Sequence, residues 1–380
     1  MKIAFLCGSL EPGRDGVGDY VRQLALELRR QGQQTVAIAL KDQYITEVVV
    51  LPLLLIKEAL PVLRLPAKWP AFRRFRQAHQ WLEEFQPSWI SIQFVPYSFH
   101  QKGLPVTLGE KIIRLAHNRQ IHLMMHECWI GNEPGTTLKR QLISCLQKKL
   151  INRLISYIHP SVIHTHLPVY QASLQRLGWH ALPLPLFSNI PVSQNPLLET
   201  ETSQRIFRIG IFSQISFNSP FITFLIAFIT QLIQYPHSYQ IEILLIGGEP
   251  AKMSVIKSEL EIILNLRGQV RYTGFIEPIK LSDALQGCQL GITTVPRNGL
   301  GKSGSVAAFL AHGIPVAAPY IHPEAISTDI GFFSANLRSA ILTEPDIASY
   351  QNTKIAAQKA KNIITLSKIA RTFLIDISNK

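Results

Sequence analysis

The sequence predicts an α/β protein of two Rossmann-like domains with a cleft between them. Short apolar runs alternate with helical stretches of about ten to fifteen residues, the pattern of a parallel sheet covered by helices. The alternation lapses once, over the polar and aperiodic stretch Ser188 to Gln204, and then restarts, which marks a linker. With 380 residues, 47% apolar and 17% charged, the chain can bury a core in each half. The halves are expected at residues 1–190 and 205–345.

The first half opens on Met1 to Cys7. This run reads as a strand rather than a signal segment, because its apolar core is brief and a glycine loop follows it. Gly8 to Tyr20 forms that loop. A helical pattern through Leu24, Leu26 and Leu28 runs to Gly32, and a strand, Thr35 to Leu40, completes a βαβ start. The turn Gly16-Val17-Gly18 can form a backbone nest for phosphate, or serve only the geometry of the βα turn. Over residues 57–76, Lys57, Arg64, Lys68, Arg73, Arg74 and Arg76 interleave with Leu65, Trp69, Phe72 and Phe75. That composition suits an anionic membrane surface or, equally, a solvated face. Pro61, Pro66 and Pro70 break any long helix there. A second basic helix, Leu138 to Ile155, spaces Leu142, Leu146, Leu150 and Leu154 like a core-facing stripe, with its cations outside.

Between these lie a strand, Trp89 to Phe94, a helix, Val106 to Asn118, and a strand, His122 to Met125. Functional groups of parallel sheets gather beyond the C-terminal ends of strands. Tyr97, His100, His126 and Glu127 fall there. Strands over Val162 to His166 and Ala181 to Phe187 close the half.

The second half alternates Phe207 to Phe212, Pro220 to Ile233, Gln240 to Ile246, Ala251 to Asn265, Val270 to Thr273 and Ile279 to Gln286. A strand-like run, Leu290 to Val295, then enters Arg297-Asn298-Gly299-Leu300-Gly301-Lys302-Ser303-Gly304-Ser305, and an apolar helix follows to Gly313. Strand, glycine-rich loop and helix start offer amides and a positive dipole end to phosphate oxygens. Ser303 and Ser305 add hydroxyls, and Lys302 and Arg297 add charge. The spacing is not the Walker pattern. Ser303 or Ser305 can also be a plain helix cap.

The net charge of +13 predicts an anionic partner. No zinc spacing, RNP pattern or basic reading helix points to nucleic acid. Four scattered cysteines favour neither a metal site nor a disulfide framework and suit a reducing cytoplasm. Phe221 to Ile233, the longest apolar stretch, is too short to cross a bilayer.

The stretch from Arg297, with its closing turn Gly313-Ile314-Pro315-Val316, resembles the donor-phosphate loop of GT-B glycosyltransferases, particularly retaining family 4. Two glutamates usual in that group fall, counting back from Pro315, on Leu300 and Ala308. The resemblance implies a GT-B fold whose last helix, about 360–380, returns to the first domain. It implies a glycosyltransferase of the hexosyltransferase type, acting in polysaccharide or glycolipid assembly. The donor would be a nucleotide-diphosphate sugar as co-substrate, and the acceptor a glycan, glycolipid or small molecule. No other cofactor and, without an Asp-x-Asp signature, no metal would be needed. The anomeric configuration would be retained, the leaving phosphate taking the acceptor's proton.

His126 would lie beside the transferred sugar with Glu127 next to it, and Tyr97 and His100 would line the acceptor pocket. Gly16, Val17, Gly18, Ser213, Phe275, Arg297, Lys302, Ser303, Gly304 and Ser305 would hold the donor. The family's usual arginine and lysine after the second half's first strand are replaced by Phe217, Asn218 and Ser219, so Lys302 and Arg297 would supply that charge. The resemblance places the protein in the cytoplasm, peripheral to the inner membrane face. Two alternatives stand beside this reading. One is a degenerate GT-B protein that binds nucleotide or lipid as a non-catalytic partner. The other is a nucleotide-sugar epimerase or phosphorylase on the same scaffold.

Overall fold

The structure is a computed structural model that describes residues 1–51, 59–130, 137–194, 206–212, 218–234, 239–265, 268–322 and 329–379. The chain forms two compact units, Met1–Leu184 with Leu366–Lys380, and Pro185–Thr365.

The first unit runs β1 (Lys2–Cys7), α1 (Gly16–Arg30), β2 (Gln34–Asp42), β3 (Val49–Leu51), β4 (Val62–Pro66), α2 (Ala71–Phe85), β5 (Trp89–Phe94), α3 (Pro96–Phe99), α4 (Leu108–Ala116), β6 (Gln120–Met125), α5 (Leu138–Ile158), β7 (Val162–Thr165), α6 (Pro168–Gln175) and β8 (Leu182–Pro183). Its sheet has the order β3-β4-β2-β1-β5-β6-β7-β8. All pairs are parallel except β3 with β4. β1 is wholly buried after Lys2, which is why it reads as an unbroken apolar run.

The prolines at 61, 66 and 70 bracket a buried strand and the start of α2. Arg64 is not a surface cation. Its Nε donates to Asp42 Oδ2 at 2.8 Å and its Nη2 to Glu11, which ties β4 to the end of β2 and to the loop after β1. Burial raises the pKa of the Asp42 carboxyl, but the bonds from Arg64, Leu10 and Tyr44 outweigh that and hold it below the usual range. Arg73 stacks on Trp69 at 3.5 Å, and Trp69 and Phe75 pack against the core. Phe72 stays exposed, and Lys57 lies outside the described residues.

The α5 stripe also departs from its expected place. Its C-terminal half buries Ile151, Leu154, Ile155 and Ile158, whereas Leu138 and Leu142 are 79% and 73% exposed and Leu146 is exposed too.

The second unit runs β9 (Ile206–Phe212), α7 (Ser219–Gln234), β10 (Gln240–Ile246), α8 (Pro250–Leu264), β11 (Gly268–Tyr272), α9 (Pro278–Gln286), β12 (Leu290–Ile292), a 3-10 turn (Arg297–Lys302), α10 (Gly304–Ala311), β13 (Val316–Ala317), α11 (Ala335–Ser339), β14 (Ile341–Leu342) and α12 (Ile347–Ala360). Its sheet order is β11-β10-β9-β12-β13-β14, and every pair is parallel. The last helix, α13 (Leu366–Ser378), belongs to the first unit, where Phe373 packs on Phe5 of β1. Among the described residues no helix is long and apolar enough to cross a membrane.

Candidate functional site

In the second unit the strand order reverses between β9 and β12, where open parallel sheets bind ligands beyond the strand ends. α10 begins there because two glycines let it approach the sheet. Gly210 of β9 lies opposite Gly291 of β12, and the Phe309 ring of α10 rests on both. A Cβ on Gly291 would stand 2.6–2.9 Å from three atoms of that ring.

Ser303 caps α10, its Oγ accepting from Val306 N at 3.4 Å and lying 3.1 Å from Ser305 Oγ. Ala307 N donates to Ser303 O. The amides of Gly304 and Ser305 take no acceptor among the described residues. Among the described residues nothing lies within 4 Å of where a Cβ on Gly304 would stand. Lys302 is exposed beside them. Arg297 has different work from that expected of it. Its Nε and Nη2 donate to Ala318 O and Thr343 O, both at 2.9 Å, and Glu344 lies 3.6 Å away. It fastens the loop to the ends of β13 and β14. Leu300 and Ala308, at the places of the family glutamates, are fully buried in the apolar core.

Phe275 follows the end of β11 and is 92% exposed. Ser213 lies outside the described residues, as does Phe217. Asn218 caps the start of α7, accepting from Phe221 N at 3.0 Å.

In the first unit the order reverses between β1 and β5. The Gly16-Val17-Gly18 turn is the first turn of α1, and its anion is internal. Asp15 Oδ1 accepts from Gly18 N at 2.8 Å. Burial raises the Asp15 pKa, against the pull of the Gly18 and Val17 amides. Gly18 has no room for a side chain, since a Cβ would lie 2.7 Å from Ser9 O. Tyr97 is half exposed, and Glu127 is partly buried. His100 closes its own turn, Nδ1 accepting from Lys102 N and Leu104 N at 3.3 and 3.2 Å.

His126 is buried and both its ring nitrogens are engaged. Nε2 lies 2.8 Å from the Gln93 amide and Nδ1 lies 3.0 Å from His166 Nε2. A sugar hydroxyl bonding the ring would have to replace one of these partners. Tyr20 of α1 covers the pair edge-on, at 4.9 Å from the His126 ring and 5.5 Å from His166. Burial, and then the neighbouring His166, hold the His126 pKa well below the ordinary imidazole value.

Sequence reasoning missed the rest of this polar stripe. Ser91 and Gln93 on β5, His122 and His126 on and just past β6, and His164 and His166 on and just past β7 recur at even spacing, which puts them on one sheet face. Polar residues two apart inside otherwise apolar parallel strands were the available signal. α13 covers the far end, with Phe373 edge-on to His122 at 4.9 Å. Among the described residues no group of His, Cys, Asp and Glu could hold a metal ion.

No protein-family model matches the chain, and no curated protein matches it in sequence. Solved structures match over its whole length. Alr3699/HepE from Anabaena, in complex with UDP and glucose, superposes with a TM-score of 0.59 at 18% identity, covering 100% of both chains. Sucrose-phosphate synthase from Thermosynechococcus elongatus gives 0.58 at 17% identity, covering 98% of this chain and 97% of its own. A protein assigned as a UDP-N-acetylglucosamine 2-epimerase from Listeria monocytogenes gives 0.57 at 10% identity, with 99% and 95% covered. At these identities the likeness establishes the fold, which is GT-B.

Proposed function

We propose that the protein is a nucleotide-sugar-dependent glycosyltransferase whose second unit takes the donor and whose first unit takes the acceptor. The observation that carries this is the start of α10. The Gly304 and Ser305 amides, which take no acceptor among the described residues, lie at the reversal of the strand order, with Lys302 beside them. Negative charge develops on the leaving phosphate as the glycosidic bond breaks, and preorganised amides and a lysine stabilise it without reorganisation. The exposed Phe275 ring suits stacking under a nucleobase. The HepE structure, which holds UDP and glucose, supports the donor class. Retention and independence from metal follow from the family-4 likeness of the loop.

The test is a thermal-shift screen of nucleoside diphosphates and their sugars, followed by titration of Lys302→Ala. Loss of one charge-assisted bond of about 1.5–3 kcal/mol weakens donor binding by roughly tenfold or more. Donor affinity unchanged by Lys302→Ala, or no stabilisation by any nucleoside diphosphate, would refute the reading.

Two observations favour a second reading, a non-catalytic nucleotide binder. The two glutamate places of the family are buried apolar positions, and the α1 turn carries its own carboxylate. Acceptor-dependent release of nucleotide by the purified chain separates an active transferase from this binder. Epimerisation of the donor without an acceptor would indicate the chemistry of the Listeria neighbour.

For peripheral membrane contact, α5 fits better than residues 57–76. Leu138, Leu142 and Leu146 lie one turn apart on its exposed surface. Lys139, Arg140, Lys148 and Lys149 flank them, and the helix has no acidic residue.

A further inference from the structure

The segment that opens the second unit is clasped to α9 at one residue. Ser193 N donates to Ser282 Oγ at 2.8 Å, and Ser193 O accepts from Gln286 Nε2, one helical turn further on, at 3.1 Å. Its neighbours Pro191, Val192 and Gln194 are exposed. Ser282 is fully buried, and its hydroxyl lies 2.9 Å from Nε2 of the buried His312, the residue at the C-terminal cap of α10. His312 Nδ1 lies 2.7 Å from Ala308 O.

Each bond has a direction set by a partner with only one role. The Ala308 carbonyl only accepts, so a neutral His312 ring carries its hydrogen on Nδ1. Nε2 is then an acceptor, and the Ser282 hydroxyl donates to it. Ser193 O also only accepts, which turns the Gln286 amide with its nitrogen toward Ser193. The same nitrogen lies 3.2 Å from Ser282 Oγ. Ser282 thus gives its one hydrogen to His312 and takes two, from Ser193 and Gln286, which is its full complement.

A proton added to the ring breaks this pattern. Nε2 becomes a donor, so Ser282 Oγ faces three donors with two lone pairs, and its own hydrogen is left buried without an acceptor. The bond most readily given up is the one to Ser193, which is only partly buried, so that water can replace Ser282 there.

We propose that His312 is a proton-sensitive latch: as a neutral Nδ1–H ring it holds the Ser193 segment on α9 through Ser282, and as an imidazolium it lets the segment go. The segment belongs to the stretch that the sequence marks as the linker. Its attachment is thereby controlled from the C-terminal end of the helix whose N-terminus is the candidate phosphate site. The latch itself does not depend on that site's reading.

Burial lowers the His312 pKa against the pull of the Ala308 carbonyl, and no charged group enters. The charged residues on the elements around it are Lys280 and Asp283 of α9, and Lys354, Lys359 and Lys361 on and just past α12, whose Gln358 meets the turn after His312. α10 and residues 185–194 carry none. A histidine depressed in the fold contributes its full stabilisation above the ordinary imidazole value and loses it as the pH falls below that value. The latch is therefore closed at neutral pH and opens on acidification.

The experiment is hydrogen exchange of the full chain, read at the Ser193 amide as protection relative to the intrinsic rate, which removes the pH dependence of the exchange chemistry. Protection should fall several-fold, up to about tenfold, between about pH 7.5 and about pH 5.5, the limit for one proton taken up a unit below an ordinary imidazole pKa. The amides of β9 and β10 in the same unit should keep theirs. Ser282→Ala should leave Ser193 weakly protected at both pH values. His312→Gln, which does not titrate, should abolish the difference between them. Long-range proton–nitrogen NMR at neutral pH should show His312 as Nδ1–H. Equal Ser193 protection at the two pH values in the unmodified chain, a pH-dependent loss that survives in His312→Gln, an equal loss across β9 and β10, or an Nε2–H ring at His312 would each overturn the proposal.

Discussion

Gly291→Ala tests whether close packing of α10 on the sheet sets the candidate phosphate site. The new methyl group would lie 2.6, 2.7 and 2.9 Å from three atoms of one ring, Phe309, and the ring is fully buried. Overpacking of this kind costs about 1–3 kcal/mol, and the lower chain entropy of alanine returns roughly 0.4–1 kcal/mol. The net expectation is about 1–2 kcal/mol of destabilisation. Since the clash is with one side chain, Phe309→Leu should abolish it. In that background Gly291→Ala should be neutral or slightly stabilising, a coupling of about 1–2 kcal/mol. Urea denaturation of the four variants measures this. All five tryptophans lie in the first unit, so their fluorescence serves as a control while circular dichroism follows both units. An equal cost of Gly291→Ala with and without the ring would refute the reasoning.

Acid should loosen the first unit. His122 and His126 have depressed pKa values in the fold, so below about pH 6.5 the unfolded chain binds protons that the folded one refuses. Their contribution is fully present above that pH and falls as the pH drops below it. The loss should reach about 1 kcal/mol per histidine by roughly pH 5.5, measured as a lower urea midpoint by tryptophan fluorescence. Arg64→Met should cost about 3–5 kcal/mol by stranding the buried Asp42 carboxylate, and Asp42→Asn in the same chain should recover part of it. Leu142→Glu should reduce sedimentation with vesicles containing anionic lipid while leaving the melting temperature unchanged, because that side chain is 73% exposed.

The regular part of both sheets was legible in the sequence because buried parallel strands are short apolar runs between helices. β1, β2, β5, β6, β9 and β10 all have that form. β4 was not legible, because its prolines and Arg64 look like surface. Only Asp42 and Glu11, distant in sequence, make Arg64 an interior residue. The α5 leucines misled in the opposite sense, since helical spacing gives a stripe but not what covers it. At the candidate site, the helix start with its serine cap could be read locally. The role of Arg297 could not, because its acceptors at Ala318 and Thr343 are placed by the fold. The stripe of histidines needs the register of three strands and the return of α13, and no local pattern carries either.

That return has a consequence for biosynthesis. The first unit is discontinuous, so its sheet waits for residues 366–379 while the whole second unit is translated. Until α13 arrives, His122 and His164 lack the Phe373 and Asp376 side chains that cover and pair them. Domains that are continuous fold as they emerge from the ribosome, so the unit made later in full is expected to mature first. The N-terminal half would then persist as an incomplete nascent species, and holdase chaperones should engage it in preference to the C-terminal half.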